Sequence, residues 1–191
     1  LREMVIRNNK SDVTDAEGNF IFQGKTTSSI AVDQNEVERS FDRHLKKYLQ
    51  EGYNSRGGGS EIRDRAIGFV MATYRKLAAS SIASIERSLR KRLERLQGDI
   101  AAEPSSMVDI EAVDERFVGE WEETDYGPRA EFFHGEIAVL KDLLRQAELV
   151  FNHDSKLSVL LNQLIPAIRG DNPKEKMVIF TEYRGTQDYL S

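Results

Sequence analysis

The chain has 191 residues, of which 39% are hydrophobic and 31% charged, with four Pro and 13 Gly, enough for one domain or one and a half. Twenty-seven Lys and Arg against 32 Asp and Glu give a net charge of -5, which excludes a uniformly basic surface, so any surface for a nucleic-acid backbone must be local. The absence of Cys excludes disulfides, thiolate zinc sites and thiol nucleophiles, and three well-separated His argue against a histidine-dominated metal site. Apolar runs are short and the first residues lack a charged-then-apolar export pattern, so the expectation is a cytoplasmic protein without a membrane span.

In chain order, Met4-Val5-Ile6, Phe20-Ile21-Phe22 and the run Thr26 to Val32 read as short strands. Between the first two lies Asp15-Ala16-Glu17-Gly18-Asn19, which has hairpin-turn chemistry. From Asn35 the period becomes helical, with Val37, Phe41, His44, Leu45, Tyr48 and Leu49 on one face. Asp33 with Glu36 forms the expected capping box, and Gly52 the expected stop. The Gly-rich loop around Gly57-Gly58-Gly59 has no apolar anchor after Tyr53 and reads as a mobile connection. A long helical stretch follows from Ile62 to Leu96, with an apolar stripe Ala78, Ile82, Ile85, Leu89, Leu93 and Leu96 and a break expected at Ser80-Ser81.

Residues 75–96 carry seven bases against two acids and form the one basic cluster, whereas residues 99–126 hold ten acids and only Arg116 as a base. Helical order returns with Phe133, Ile137, Leu140, Leu144, Ala147 and Phe151, a heptad seam suited to packing on another helix. Asp154 then caps a helix from about Ser155 to Ile168, whose apolar face is Leu157, Leu160, Leu161, Leu164 and Ile168 and which Pro166 kinks or ends. Met177 to Thr181 reads as a buried strand, and Gly185 to Leu190 starts a new helix. The fold class expected is mainly α: a helical bundle with a few short strands at the N-terminal end and one strand near the C-terminal end. The chain opens without Met and closes in the first turns of a helix, so a piece of a larger protein is expected.

Several motifs fail on spacing or context. Gly18 to Thr26 imitates a phosphate-binding loop, but five residues separate Gly18 from Gly24, three of them Phe-Ile-Phe, and more strand follows instead of a helix. The apolar run ending in Glu182, and Asp114-Glu115, both lack the phosphate loop or preceding strand that magnesium chemistry needs. Asp154 beside His153 reads as a cap, His44 as a core or edge histidine, and His134 lacks a triad context. No catalytic, cofactor-binding or metal-ligating residue is therefore expected. The basic cluster remains, with Arg87, Arg90, Lys91 and Arg95 opposite the apolar stripe; its two readings are phosphate contact and a solvated face neutralised by the acidic segment.

Two blocks carry a resemblance. Val5-Ile6-Arg7-Asn8-Asn9-Lys10-Ser11-Asp12-Val13, with Lys25 and Thr27 to Val32 before the helix at Asn35, resembles the segment after the first motor lobe of Swi/Snf-type ATPases of helicase superfamily two. Asp154-Ser155-Lys156-Leu157 and then Lys176 to Leu190 look like the entry into the second RecA-like lobe, including helicase motif IV. The stretch from Lys76 to Ser81 with the basic helix looks like the helical insertion of bacterial members. Asn8 departs from the Arg often found there.

The resemblance implies three parts: residues 1–33 as the end of a first lobe, 34–153 as an inter-lobe helical insertion with a Gly-rich loop at 52–60 and an acidic segment at 98–131, and 154–191 as the entry into a second lobe. It implies a parent that couples ATP hydrolysis, with Mg, to movement on double-stranded DNA in a bacterial cytoplasm or nucleoid, the missing motor lobes being partners. This chain would brace that motor without catalysis of its own and would need no cofactor. Arg87, Arg90, Lys91 and Arg95, with Thr181 and Tyr183, would be its nucleic-acid contacts. The competing expectation is a self-sufficient helical interaction or dimerisation module whose apolar seams at 133–151 and 78–96 pair with each other or with a second copy, whereas an excised piece of a motor would expose surfaces its missing lobes cover, with homodimerisation or a strand swap at 20–32 or 176–181 as the expected consequence.

Overall fold

Asn35, still in the extended region, precedes a run of good helix formers and opens helix α1, Glu36–Asn54, by a reciprocal capping box: its side chain accepts the Glu38 N–H at 3.0 Å and Glu38 accepts the Asn35 N–H at 2.8 Å. The box thus lies two residues later than the Asp33–Glu36 pair with the same spacing, because Asn35 and Glu38 have a second task described below. Nor does Gly52 stop the helix. It lies inside α1 and is buried where α2 crosses, and a Cβ there would run into the Met71 side chain.

The computed structural model describes residues 13–21, 27–57, 61–98, 130–170, 174 and 176–191, and the chain divides into two compact units, Leu1–Ala31 and Val32–Ser191. In the first unit, Asp15 Oδ1 accepts the N–H groups of Glu17 at 3.0 Å and Asn19 at 2.8 Å, Gly18 takes φ +88°, and Thr14 forms an antiparallel bridge with Phe20. These bonds, Asn19 first, lower the Asp15 pKa. The expected turn is therefore present, and Gly18 serves it and not a phosphate loop. The expected strand at Met4 to Ile6 lies outside the described residues, and Thr27 to Val32 carries no strand ladder among them.

The second unit is helical. After α1 come α2, Glu61–Ser80, and α3, Ile82–Gln97, separated at the expected point by Ser81, which leaves the helical region and caps α3. Then follow α4, Glu136–Phe151; α5, in which Ser155–Val159, the π turn Leu160–Leu164 and Ile165–Arg169 run on without interruption; and α6, Arg184–Leu190. The π turn immediately precedes Pro166, the residue whose missing N–H and ring disturb an α-helical ladder. Helices α1 to α4 close a ring in which each packs on the next and α4 returns to α1, while α6 lies on α3. The Gly-rich loop beyond Gly57 and the acidic residues 99–129 lie outside the described residues.

The core follows the predicted stripes with one widening. Phe41, Leu45, Tyr48 and Leu49 of α1 meet Ile67, Met71, Tyr74 and Leu77 of α2, and Ile82, Ile85 and Leu89 of α3 are buried beside them. On α4 the heptad seam is joined by Leu143 and Val150, because a helix that touches both α1 and α3 must bury a broader face than a two-helix seam. His44, expected among these apolar residues, is exposed and bonds the Ser40 carbonyl through Nδ1 at 2.8 Å.

Two segments stay outside this core, contrary to expectation. The α5 face contributes no buried residue, and Leu161 and Ile168 are largely exposed. The expected buried strand at Met177 to Thr181 carries no ladder, with Val178 72% and Phe180 91% exposed. A strand needs neighbours for its N–H and C=O groups, and none of the described residues supplies them.

At the centre of the ring sits an ion pair, one member of which, Arg92, the sequence counts within the basic cluster. Arg92 of α3 and Glu136 of α4 have fully buried side chains, joined by Nε to Oε1 at 3.0 Å and Nη2 to Oε2 at 2.9 Å. The Tyr48 hydroxyl donates to Oε1 at 2.8 Å, the Phe132 N–H donates to Oε2 at 2.6 Å, and Arg92 also reaches the Ala130 carbonyl at 2.9 Å. The guanidinium carbon lies 3.8 Å from the centroid of the Phe132 ring. Burial, then the neighbouring Tyr74 and Glu136, push the Tyr48 pKa well above 10, so its hydroxyl remains a donor.

Removing one partner strands the other charge in the core. Glu136→Gln is expected to lower the unfolding free energy by about 3–5 kcal/mol in urea titration, whereas the paired replacement Arg92→Met with Glu136→Leu costs much less. Equal losses in both variants would show that the ion pair is not the critical element.

Candidate nucleic-acid interface

Helix α3 presents two different sides. Arg87, Lys91 and Arg95 step by four along one outer ridge with Arg90 beside it, while Ile82, Ile85 and Leu89 face the core. The fifth basic side chain of α3, Arg92, points inward to Glu136, so one cation counted in the cluster is spent on the core.

The four candidate contacts on α3 differ in their surroundings. Arg90 pairs with Glu86 one turn earlier in α3. Arg87 donates to Asp188 of α6 at 2.9 Å, a bond between helices. Lys91 and Arg95 are partly exposed further along the same helix, and both have interaction partners. The surface is therefore a ridge of cations of which two bear acid partners within the fold, and an anionic polymer would compete with Asp188 and Glu86 for them.

Thr181 and Tyr183 lie where α6 begins. Thr181 is exposed, and its Oγ1 accepts the Tyr183 N–H at 3.3 Å. The Tyr183 side chain is 6% exposed and belongs to the apolar core, which takes its ring off the surface that the resemblance assigned to it.

What anchors α6 escapes sequence reasoning. Thr186 is buried, with Oγ1 at 2.7 Å from Ser80 Oγ and 2.8 Å from both Ser81 Oγ and Ser84 Oγ. One hydroxyl donates once and accepts twice, so three serines fill its capacity. The only sequence signal is the unusual run of Ser80, Ser81 and Ser84 at a helix junction, and nothing local pairs it with a Thr more than a hundred residues away.

A second hub lies at the start of α5. Asp154 caps it as expected, accepting the Leu157 N–H at 2.8 Å, and also accepts the Tyr189 hydroxyl of α6 at 3.1 Å. Lys156 Nζ donates to the Ala79 and Ser80 carbonyls at 2.7 and 3.0 Å, a cation at the C-terminal end of α2. The α1 cap completes the hub: Asn35 Nδ2 donates to the His153 carbonyl at 2.6 Å, and Glu38 Oε1 accepts the Ser155 N–H at 2.8 Å. This second task fixes the capping box at Asn35 and Glu38.

Beside the hub a cavity of about 530 Å³ has an apolar floor that includes Phe41, Leu45 and Ile85 and a charged rim that includes Asp33 and Arg39. Among the described residues no group of three His, Asp or Glu is placed to hold a metal ion, and no helix is long and apolar enough to cross a membrane. Comparison with family models, with curated proteins and with solved structures gives no match.

Two consequences concern α6. Thr186→Val leaves three serine hydroxyls short of a partner and is expected to destabilise the chain by about 1–3 kcal/mol in urea titration. Burial, then Asp154, pushes the Tyr189 pKa up to about 12, so the folded state holds a proton there that the unfolded chain releases above pH 10. Stability therefore falls as pH rises from about 10 towards about 12. In Tyr189→Phe that part of the slope is expected to disappear, and an unchanged slope would remove Tyr189 as its cause.

Proposed function

We propose that this chain is the inter-lobe helical region, with the entry into the second lobe, of a bacterial Swi/Snf-type ATP-dependent DNA translocase, and that it braces the motor and contacts DNA through α3. The observation that carries this reading is the helix, apolar segment, helix order of α5, Met177 to Thr181 and α6. The outward Leu161, Ile168, Val178 and Phe180 are what half of an α/β layer presents before its sheet is added. The anchoring of α6 on α2 and α3 by Thr186 and the Arg87–Asp188 pair, and on the start of α5 by Tyr189, supports a bundle that stays fixed to that layer as the motor moves. On this reading ATP and Mg are held by the parent's lobes, in the cytoplasm or nucleoid, and the chain alone hydrolyses nothing.

The second reading is a self-sufficient helical interaction module. It is favoured by the ring of α1 to α4, which encloses its own core. A module of that kind contacts protein surfaces and has no use for the cations of α3.

Fluorescence anisotropy with a double-stranded DNA probe separates the two. About three phosphate contacts imply a loss of ~40-fold in affinity between 50 and 200 mM salt. Lys91→Glu with Arg95→Glu should abolish binding while leaving the Arg87–Asp188 anchor in place. Salt-sensitive binding lost in this variant supports the motor reading, and no binding at low salt removes DNA contact and favours the module.

A further inference from the structure

The segment Lys176-Met177-Val178-Ile179-Phe180-Thr181-Glu182 joins the bundle at one defined end, because Tyr183 is buried and α6 is clamped to α2 and α3. Before that anchor the backbone of Met177 to Phe180 forms no ladder with any described residue, and Val178 and Phe180 are among the most exposed large apolar side chains. Ile179 is 45% exposed and Met177 less than fully so, which matches the two-residue alternation of a strand whose 178 and 180 side faces outward.

The sequence of this segment is complementary to itself when reversed. In an antiparallel pair centred on Ile179, Lys176 of one copy faces Glu182 of the other, Val178 faces Phe180, and Phe180 faces Val178. The outward side of such a ribbon is then a row with two aromatic and β-branched rungs in the middle and an opposite-charge rung at each end. The other side pairs Met177 with Thr181 twice around an Ile179 pair. A parallel pair would instead set Lys176 beside Lys176 and Glu182 beside Glu182, and a shift by one residue would turn the Val178 and Phe180 face away from its partner. Lys176 and Glu182 are both exposed and make no ion pair with a described residue.

We propose that a second copy of this chain pairs antiparallel with residues 176–182 through a dyad at Ile179, giving a homodimer of two-fold symmetry. A two-stranded ribbon is marginal when both strands are loose. Here one end of each strand is held by α6, which reduces the ordering that pairing requires. The interface is isologous, so the two-fold operation that forms it closes at two copies, while each strand keeps its outer edge. The proposal needs only the exposed segment and its charge order; in the motor reading the lobe's own sheet would occupy this edge, so the dimer is a state of this chain by itself, and dimerisation and DNA binding are measured separately and fail separately.

The test is sedimentation equilibrium of the full chain over a concentration series, with four variants. Lys176→Glu alone sets Glu against Glu182 at both ends of the ribbon, and Glu182→Lys alone sets Lys against Lys176. Each single change is expected to raise the dimer dissociation constant about tenfold because it acts twice across the dyad. Lys176→Glu together with Glu182→Lys restores opposite charges and should return the constant to within about threefold of the starting chain. Ile179→Pro removes the central N–H and should leave a monomer whose helical circular dichroism and melting are unchanged, since residue 179 is outside the bundle core. A chain that is monomeric throughout the series overturns the proposal. So does a dimer that both single changes and Ile179→Pro leave intact, or a double change that fails to restore what the singles lost.

Discussion

The buried pair of Arg92 and Glu136 organises the second unit. Each charge taken out of water is tolerable only with its partner in place, so α3 and α4 are held in one rotational setting and one axial register. The remaining lone pairs of Glu136 are filled by the Tyr48 hydroxyl of α1 and the Phe132 N–H just before α4, which extends that setting to a third helix and to the chain entering the fourth. Apolar stripes alone would allow neighbouring helices to slide by a turn at small cost. A carboxylate with four donors on it does not.

Around this centre the hydrogen bonds at helix ends do more than satisfy orphan backbone groups. Asn35 and Glu38 cap α1 and also hold the approach to α5. Lys156 of α5 covers the last carbonyls of α2, and the Ser81 cap of α3 shares its hydroxyl with Thr186 of α6. Helix ends thereby become the joints of the unit, and α6 is attached by side chains from α2, α3 and the start of α5. The apolar segment before α6 inherits a fixed end from these joints while its own backbone groups form no ladder with the described residues. A ring of helices that encloses its own core thus carries an outward apolar segment and helix face beside it.

The basic helix illustrates why charge counting along a chain overstates a surface. Of the five bases from Arg87 to Arg95, one lies in the core, one holds α6 through Asp188, and one pairs within its own helix. Lys91 and Arg95 also have partners, so the cations form a short ridge and not a broad patch, and the field it projects is correspondingly local.

The sequence by itself determined which segments are helical and which of their faces are apolar, because a period of 3.6 and a break at Ser81 are local properties of the chain. It determined the Asp15 to Asn19 turn and the Asp154 cap for the same reason, since both rest on side chains bonding backbone within a few residues. Tertiary structure alone decided that Arg92 meets a buried acid, that Gly52 is a crossing point and not a stop, that the capping box forms at Asn35, and that Thr186 closes on three serines. In each case the deciding partner, Glu136, Met71, Ser155 or Ser84, lies far along the chain, and no local pattern encodes a desolvation or a close approach that exists only once two helices meet. The run from Met177 to Thr181 shows the same limit from the other side: its apolar composition specifies a strand, but a strand is a relation between two backbones, and only a neighbouring chain segment can complete it.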